Sequence, residues 1–233
     1  SAGASSALLS PAAAAFPINA DNLVEEAGGH PLFIDALLRH RLVQANDGGP
    51  VRLDEALWAR IRRLEPGARR LLELAAVAGA PLRRDIAELA EAREGAELPR
   101  LLAELQSENL IRIVGTGRDE TIETYHDRVR ETVVRRLDAA DARALHARLA
   151  RALELSGSAE LEALAMHFQA GGELVAALSY AMRAADQAAQ AFAFDHASRL
   201  YRTALALVKS DAGARRALEE KLGDALANAG RGA

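Results

Sequence analysis

The chain of 233 residues contains no cysteine, few aromatic residues and almost no lysine. Without cysteine it can form neither a disulfide scaffold nor a thiolate metal site, and it has no cysteine nucleophile. Aromatic residues make up 4% of the chain, and its only lysines are Lys209 and Lys221. The formal net charge of −4 argues against general attraction to nucleic acid or to an anionic membrane.

The sequence also shows no pattern of a signal peptide or of a membrane span. Its first basic residue is Arg39, so no positively charged segment precedes an apolar run. Pro11 and Pro17 interrupt the apolar residues near the start, and no apolar run approaches the roughly 18 residues that a membrane-spanning helix needs. We therefore expect a cytoplasmic protein. Because both ends look cut, we also expect the chain to be a piece of a longer protein.

The most common residues include alanine, leucine and arginine, which are strong helix formers. Half of the chain is apolar. This composition predicts a mainly α fold. Residues 1–19, rich in alanine, serine and proline, are expected to be weakly structured. Helical periodicity and the turn signals between periodic segments predict helices at about 20–27, 32–43, 54–64, 68–78, 82–92, 98–108, 128–137, 139–155, 159–170, 173–191, 196–208 and 213–228.

One segment has the period of a β-hairpin. Residues 110–114 and 121–125 alternate between apolar and polar side chains, and a loop with two glycines joins them. A two-stranded ribbon is not stable alone, and the apolar faces of the preceding helices need a cover. Residues 51–137 are therefore predicted to form a winged helix.

A connecting helix over 138–157 and helical hairpins over 158–233 are predicted to follow the winged helix. In the hairpins, Ala177 and Ala184, and then Ala197 and Ala204, stand seven positions apart, which lets a neighbouring helix approach closely. Because the helices divide into these groups, we expect no single large core.

No catalytic motif is recognisable in the sequence. It contains no G-x-x-x-x-G-K-[ST], no G-x-S-x-G and no H-E-x-x-H. Its histidines never stand four positions apart, so no local pair of metal ligands exists; they are residues 30, 40, 126, 146, 167 and 196. We therefore expect no catalysis by this chain, and no metal or cofactor bound by this chain alone.

A winged helix raises DNA binding as an alternative function. The helix before the hairpin, which would enter a major groove, carries three acids and one arginine over 97–109. The wing, 115–120, carries one arginine and two acids. Because a phosphate-facing surface should be basic, we do not expect this module to bind DNA. A DNA-binding transcriptional regulator with a helical effector domain is kept as the second hypothesis, and a plain helical scaffold as the third.

Two short stretches stand out beside these patterns: residues 28–34, Gly-Gly-His-Pro-Leu-Phe-Ile, and residues 125–131, Tyr-His-Asp-Arg-Val-Arg-Glu. Each has an ordinary structural interpretation. The first is a turn between helices with Pro31 at the first helical position, and the second holds a hydrogen-bonded histidine at the end of a strand.

Taken together and in this order, the two stretches resemble STAND-type signalling NTPases, the AAA+-related switch ATPases. Residues 29–33 resemble the G-x-P-L segment in the helical lid of that family, and His126-Asp127 resembles its histidine–aspartate motif. The run from Glu26 to about Arg231 looks like regulatory ATPase regions of large bacterial proteins, which accompany serine/threonine kinases, adenylate cyclases or LuxR-type regulators. In that resemblance 20–50 is the end of the lid, and 158–233 is a truncated set of TPR-like repeats.

The resemblance implies roles for four residues. Pro31, with Gly29 before it, would pack near the adenine of a bound nucleotide, and His126 would contact the β-phosphate of ADP, while Asp127 would be structural. An imidazole can donate a hydrogen bond to a phosphate oxygen. The P-loop core lies outside this chain, so it is the implied partner in cis, with ATP or ADP and magnesium. A protein partner is implied for the helical repeats.

Overall fold

The computed structural model describes residues 27–28, 31–43, 52–91, 97–209 and 211–230. The predicted segment 1–19, nearly all of the predicted helix at 20–27 and Gly29 lie outside these residues. The described part confirms the mainly α fold, with eleven α-helices, one 3₁₀ turn and three short strands. Their order is α1 Pro31–Val43, α2 Leu53–Ile61, α3 Pro66–Ala78, β1 Leu82–Arg83, α4 Arg84–Glu91, α5 Glu97–Ser107, β2 Ile111–Val114, the 3₁₀ turn Gly117–Asp119, β3 Thr121–Thr124, α6 Asp127–Arg136, α7 Ala139–Leu155, α8 Leu161–Ala170, α9 Leu174–Gln190, α10 Phe194–Leu207 and α11 Ala212–Asn228.

The predicted hairpin is present, and a third strand extends it. β2 and β3 are antiparallel, with Ile113 opposite Ile122. β1 joins the free edge of β3 and places Leu82 opposite Ile122, which gives the order β1-β3-β2. The predicted start of a helix at Leu82 is therefore wrong, because Leu82 and Arg83 pair with β3 and α4 begins only at Arg84. The helices and this sheet have the arrangement of a winged helix.

Local side chains fix several helix ends. Pro66 stands at the first position of α3, and Gly79 ends that helix with a φ of 69°. The carboxylate of Asp138 accepts a hydrogen bond from the backbone N–H of Asp141 at 2.7 Å, and Asp211 does the same for α11. These caps explain why the ends of α7 and α11 could be predicted closely from sequence.

Helix α7 joins the winged helix to the helical hairpins. It packs against α3 and α4 on one side and against α8 on the other. The guanidinium of Arg148 donates to the backbone carbonyl of Ala90 at 2.8 Å and to the carboxylate of Glu91 at 2.5 Å. The buried side chains of both regions form one connected hydrophobic cluster. The expectation of no single large core is therefore wrong, because α7 carries the core from one region into the next.

Helices α8 to α11 stack as successive antiparallel hairpins. The four alanines with seven-residue spacing are buried where α9 and α10 meet their neighbours, as predicted. A polar cluster links the last three helices: the carboxylate of Asp186 accepts from the Tyr201 hydroxyl at 2.6 Å and from the Lys221 ammonium at 2.7 Å. The pKa of Asp186 is lowered even though partial burial works against its charged form, because Lys221 and Tyr201 donate hydrogen bonds to it.

Candidate functional site

The two stretches selected from the sequence meet in the structure. The ring of Phe33, on the first turn of α1, contacts the imidazole of His126 edge-on, with ring centroids 4.8 Å apart and an angle of 78° between the planes. Phe33 is buried. Pro31 begins α1 two residues earlier. The contact brings the first turn of the predicted lid helix against the start of α6 in the winged helix.

The backbone conformation of His126 determines which hydrogen bond its imidazole ring makes. His126 has extended dihedral angles and caps α6, because its Nδ1 accepts a hydrogen bond from the backbone N–H of Arg128 at 3.1 Å. A neutral imidazole that accepts at Nδ1 carries its proton on Nε2. An N–H of this kind can donate to a phosphate oxygen.

Asp127 is the first residue of α6 and is exposed. A carboxylate in the first turn interacts favourably with the helix dipole, so the position alone accounts for an acid there. The structure thus brings the ring of His126 and the first turn of α1 into contact. The nucleotide roles of Gly29, Pro31 and His126 remain predictions.

The surface that a DNA-binding winged helix would use is acidic. The single arginine of α5, Arg100, donates two hydrogen bonds to the carboxylate of Glu65, at 2.5 and 2.8 Å. Glu108, just after α5, pairs with Arg60 at 2.6 Å. Since the one cationic side chain of α5 is held by Glu65, no observation on this helix favours contact with phosphates.

The structure pairs two histidines that the spacing rule did not connect. His146 on α7 and His167 on α8 lie with their Nδ1 atoms 2.9 Å apart. Burial lowers the pKa of both rings, and the pKa of His167, which is 3% exposed, falls to about 4. At neutral pH one ring donates and the other accepts. The sequence could have indicated this pairing. His146 lies ten residues before Ser156 and His167 lies ten residues after Gly157, so an antiparallel hairpin that turns there places them opposite each other.

Among the residues that the structure describes, no three side chains of histidine, cysteine, aspartate or glutamate come together as a group that could hold a metal ion. No helix of the described part is long and apolar enough to cross a bilayer.

No family model and no curated protein matches the chain. Among solved structures, it is similar to a Signal Transduction ATPase with Numerous Domains (STAND) protein with a tetratricopeptide repeat sensor from Pyrococcus horikoshii, at 16% sequence identity and a TM-score of 0.48. The similarity covers 90% of this chain and 35% of that one, so this chain spans about a third of the length of the protein that it resembles.

Proposed function

We propose that this chain is a regulatory and interaction segment of a STAND-type signalling ATPase. It performs no catalysis itself. In this proposal a P-loop core outside the chain binds ATP or ADP with magnesium, and the helical repeats contact a protein partner. The winged helix and α1 form the moving half of a nucleotide switch, in which ADP favours a closed state and ATP or a partner releases it.

The contact between Phe33 and His126 is the observation that carries the proposal. The residues are 93 positions apart, and each belongs to one of the two stretches that resemble the family's nucleotide-contacting motifs. A ligand that bridges the first turn of α1 and the Nε2–H of His126 would tie the helical lid to the winged helix. A coupling of this kind needs contacts that differ between the two nucleotide states.

The position of α7 supports coupling from the winged helix to the repeats. Its Arg148 is held by the carbonyl of Ala90 and by Glu91, a side chain only 2% exposed at the end of α4. Its opposite side meets α8 through His146 and His167. A displacement of the winged helix would therefore move the first repeat helices with it, because a close-packed interface transmits strain.

The test measures ADP dissociation from the polypeptide that contains this chain together with the residues preceding Ser1. His126→Asn keeps a side-chain oxygen that can cap α6 but removes the imidazole, whereas His126→Ala removes both. Both variants should release ADP faster than the unchanged protein, and only His126→Ala should also lose about 1 kcal/mol of folding stability. Unchanged ADP release in folded His126→Asn would contradict the assignment.

The gene sequence upstream of Ser1 provides a separate test. The proposal expects a G-x-x-x-x-G-K-[ST] motif after a strand within a few hundred residues of Ser1, and its absence would remove the main reason for the proposal. The rival hypothesis of a DNA-binding regulator predicts salt-dependent DNA binding by the chain. No measurable binding at low salt would exclude that rival.

A further inference from the structure

The helical hairpins contain a groove with an apolar floor. It lies between the start of α8, the end of α9 and the start of α10, and encloses about 530 Å³. Its floor is built from alanines, which leave room because they carry a single methyl group. The lining alanines are residues 159, 163, 184, 188, 191 and 193.

An exposed aromatic residue lies next to two lining residues in the chain. Phe192 lies in the chain between two lining residues, Ala191 and Ala193, and 80% of its surface is exposed. Its ring meets the ring of Phe194 edge-on, with the two centroids 6.0 Å apart. An apolar side chain so exposed to solvent contributes little burial energy to the fold.

The backbone at Phe192 makes the residue more unusual. The turn from α9 to α10 repeats the turn from α8 to α9, with matching backbone hydrogen bonds. The earlier turn has Gly172 at the left-handed position, with a φ of 86°, and the later one has Phe192 there, with a φ of 59°. An L-residue with a large side chain is strained in that region, where glycine is not. A strained residue that the fold does not need points to a role in binding.

The charged groups on the groove define what could bind. Its lining contains Glu160 and Glu162, and the one basic group is His196, whose Nε2 lies 2.7 Å from the Glu162 carboxylate. Glu160 is exposed at the start of α8. An apolar floor beside two carboxylates complements a segment that has a large apolar side chain next to a positive charge.

We propose that this groove binds a cationic amphipathic peptide segment of a protein partner, with Phe192 as the aromatic anchor. The inference rests on the proposed function, in which the repeats contact a protein, and it assigns that contact to one surface. The peptide's apolar side chain enters the alanine floor and covers the Phe192 ring, while its arginine or lysine faces Glu160 and Glu162. The strain at Phe192 is retained because the ring contributes to binding.

The experiment selects a library of random twelve-residue peptides on the immobilised chain. The expected enriched peptides carry a large apolar residue within four positions of arginine or lysine, and salt weakens their binding. Phe192→Gly should weaken them at least about tenfold, as for an aromatic hot spot. The double change Glu160→Gln, Glu162→Gln should also weaken them. Enrichment of peptides without basic residues, or no enrichment over an unrelated helical protein, would overturn the proposal.

Thermal unfolding separates this role from a structural one. Phe192→Gly relieves the left-handed strain and should raise the Tm by about 2–4 °C while binding is lost. A lower Tm would mean that Phe192 serves the fold and would overturn the inference. Val175→Ala is the matched control, because Val175 is 87% exposed at the opposite end of α9 and should leave peptide binding unchanged. Loss of binding in this control would also overturn it. The ADP test does not depend on this groove, so the two proposals can fail separately.

Discussion

The pair formed by the half-buried His146 and the buried His167 should make the stability of the chain depend on pH below neutrality. Burial and the neighbouring ring lower the pKa of His167 from 6.5 to about 4 in the folded state. The unfolded chain therefore takes up the proton first as the pH falls. The stabilisation is complete above pH 6.5, is lost progressively below it, and is fully lost only below pH 4.

The size of the effect follows from the two pKa values. One pKa unit corresponds to about 1.4 kcal/mol, so a folded pKa of about 4 removes about 2 kcal/mol of unfolding free energy at pH 5 and about 3 kcal/mol at pH 4. Protonation also places two N–H donors opposite each other at the 2.9 Å contact. The joint between α7 and α8 is therefore the expected place of first opening in acid.

The assay is urea unfolding followed by circular dichroism at pH 7, 6 and 5. The comparison is the double variant His146→Leu, His167→Leu, which replaces both partners by apolar groups and should change stability little at pH 7. Both proteins share the same carboxylates, so the difference between their pH slopes isolates the histidine pair. The double variant should lose about 2 kcal/mol less than the unchanged chain between pH 7 and 5. Equal slopes would refute the reasoning.

Two more perturbations test the joints on either side of α7. Arg148→Met removes a cation paired with the buried Glu91 carboxylate and should lower the unfolding free energy in urea by about 3–5 kcal/mol, whereas a loss under 1 kcal/mol would contradict the importance of this contact. Gly171→Ala places a Cβ 3.0 Å from the backbone of Ala147 and should destabilise the chain by about 1–3 kcal/mol in thermal unfolding. Gly223→Ala, inside α11 with open space around it, should instead stabilise by about 0.5–1 kcal/mol. If both glycine variants changed the stability in the same direction, the close approach of Gly171 to α7 would not be what makes Gly171→Ala destabilising.

Much of the fold follows from local signals in the sequence. The predicted 139–155 coincides with α7, which begins after the Asp138 cap, and the strands of the hairpin agree to within one residue. β1 could not be predicted, because two residues are too short to show a period and their pairing with β3 is tertiary. The single hydrophobic cluster was also not predicted. Periodicity shows which face of α7 is apolar, but it does not show that the winged helix and the helical hairpins both pack against this helix.

The candidate site was only partly predictable for a similar reason. His126 and the stretch around Pro31 were selected from the sequence, but their closeness depends on how α1 packs against the winged helix. The capping role of His126 could have been predicted, because His126 stands directly before the predicted helix that begins near Asp127. Phe192 was not selected, because nothing in the sequence indicates a left-handed backbone at a phenylalanine.

The proposed function requires that ADP holds α1 against the winged helix and that ATP releases it. Hydrogen–deuterium exchange on the protein that includes the residues before Ser1 tests this most directly, with ADP compared against a non-hydrolysable ATP analogue. The proposal predicts slower exchange with ADP in peptides that cover 31–43 and 125–136, and loss of this difference in His126→Asn. Equal exchange in the two nucleotide states, with both nucleotides bound, would contradict it.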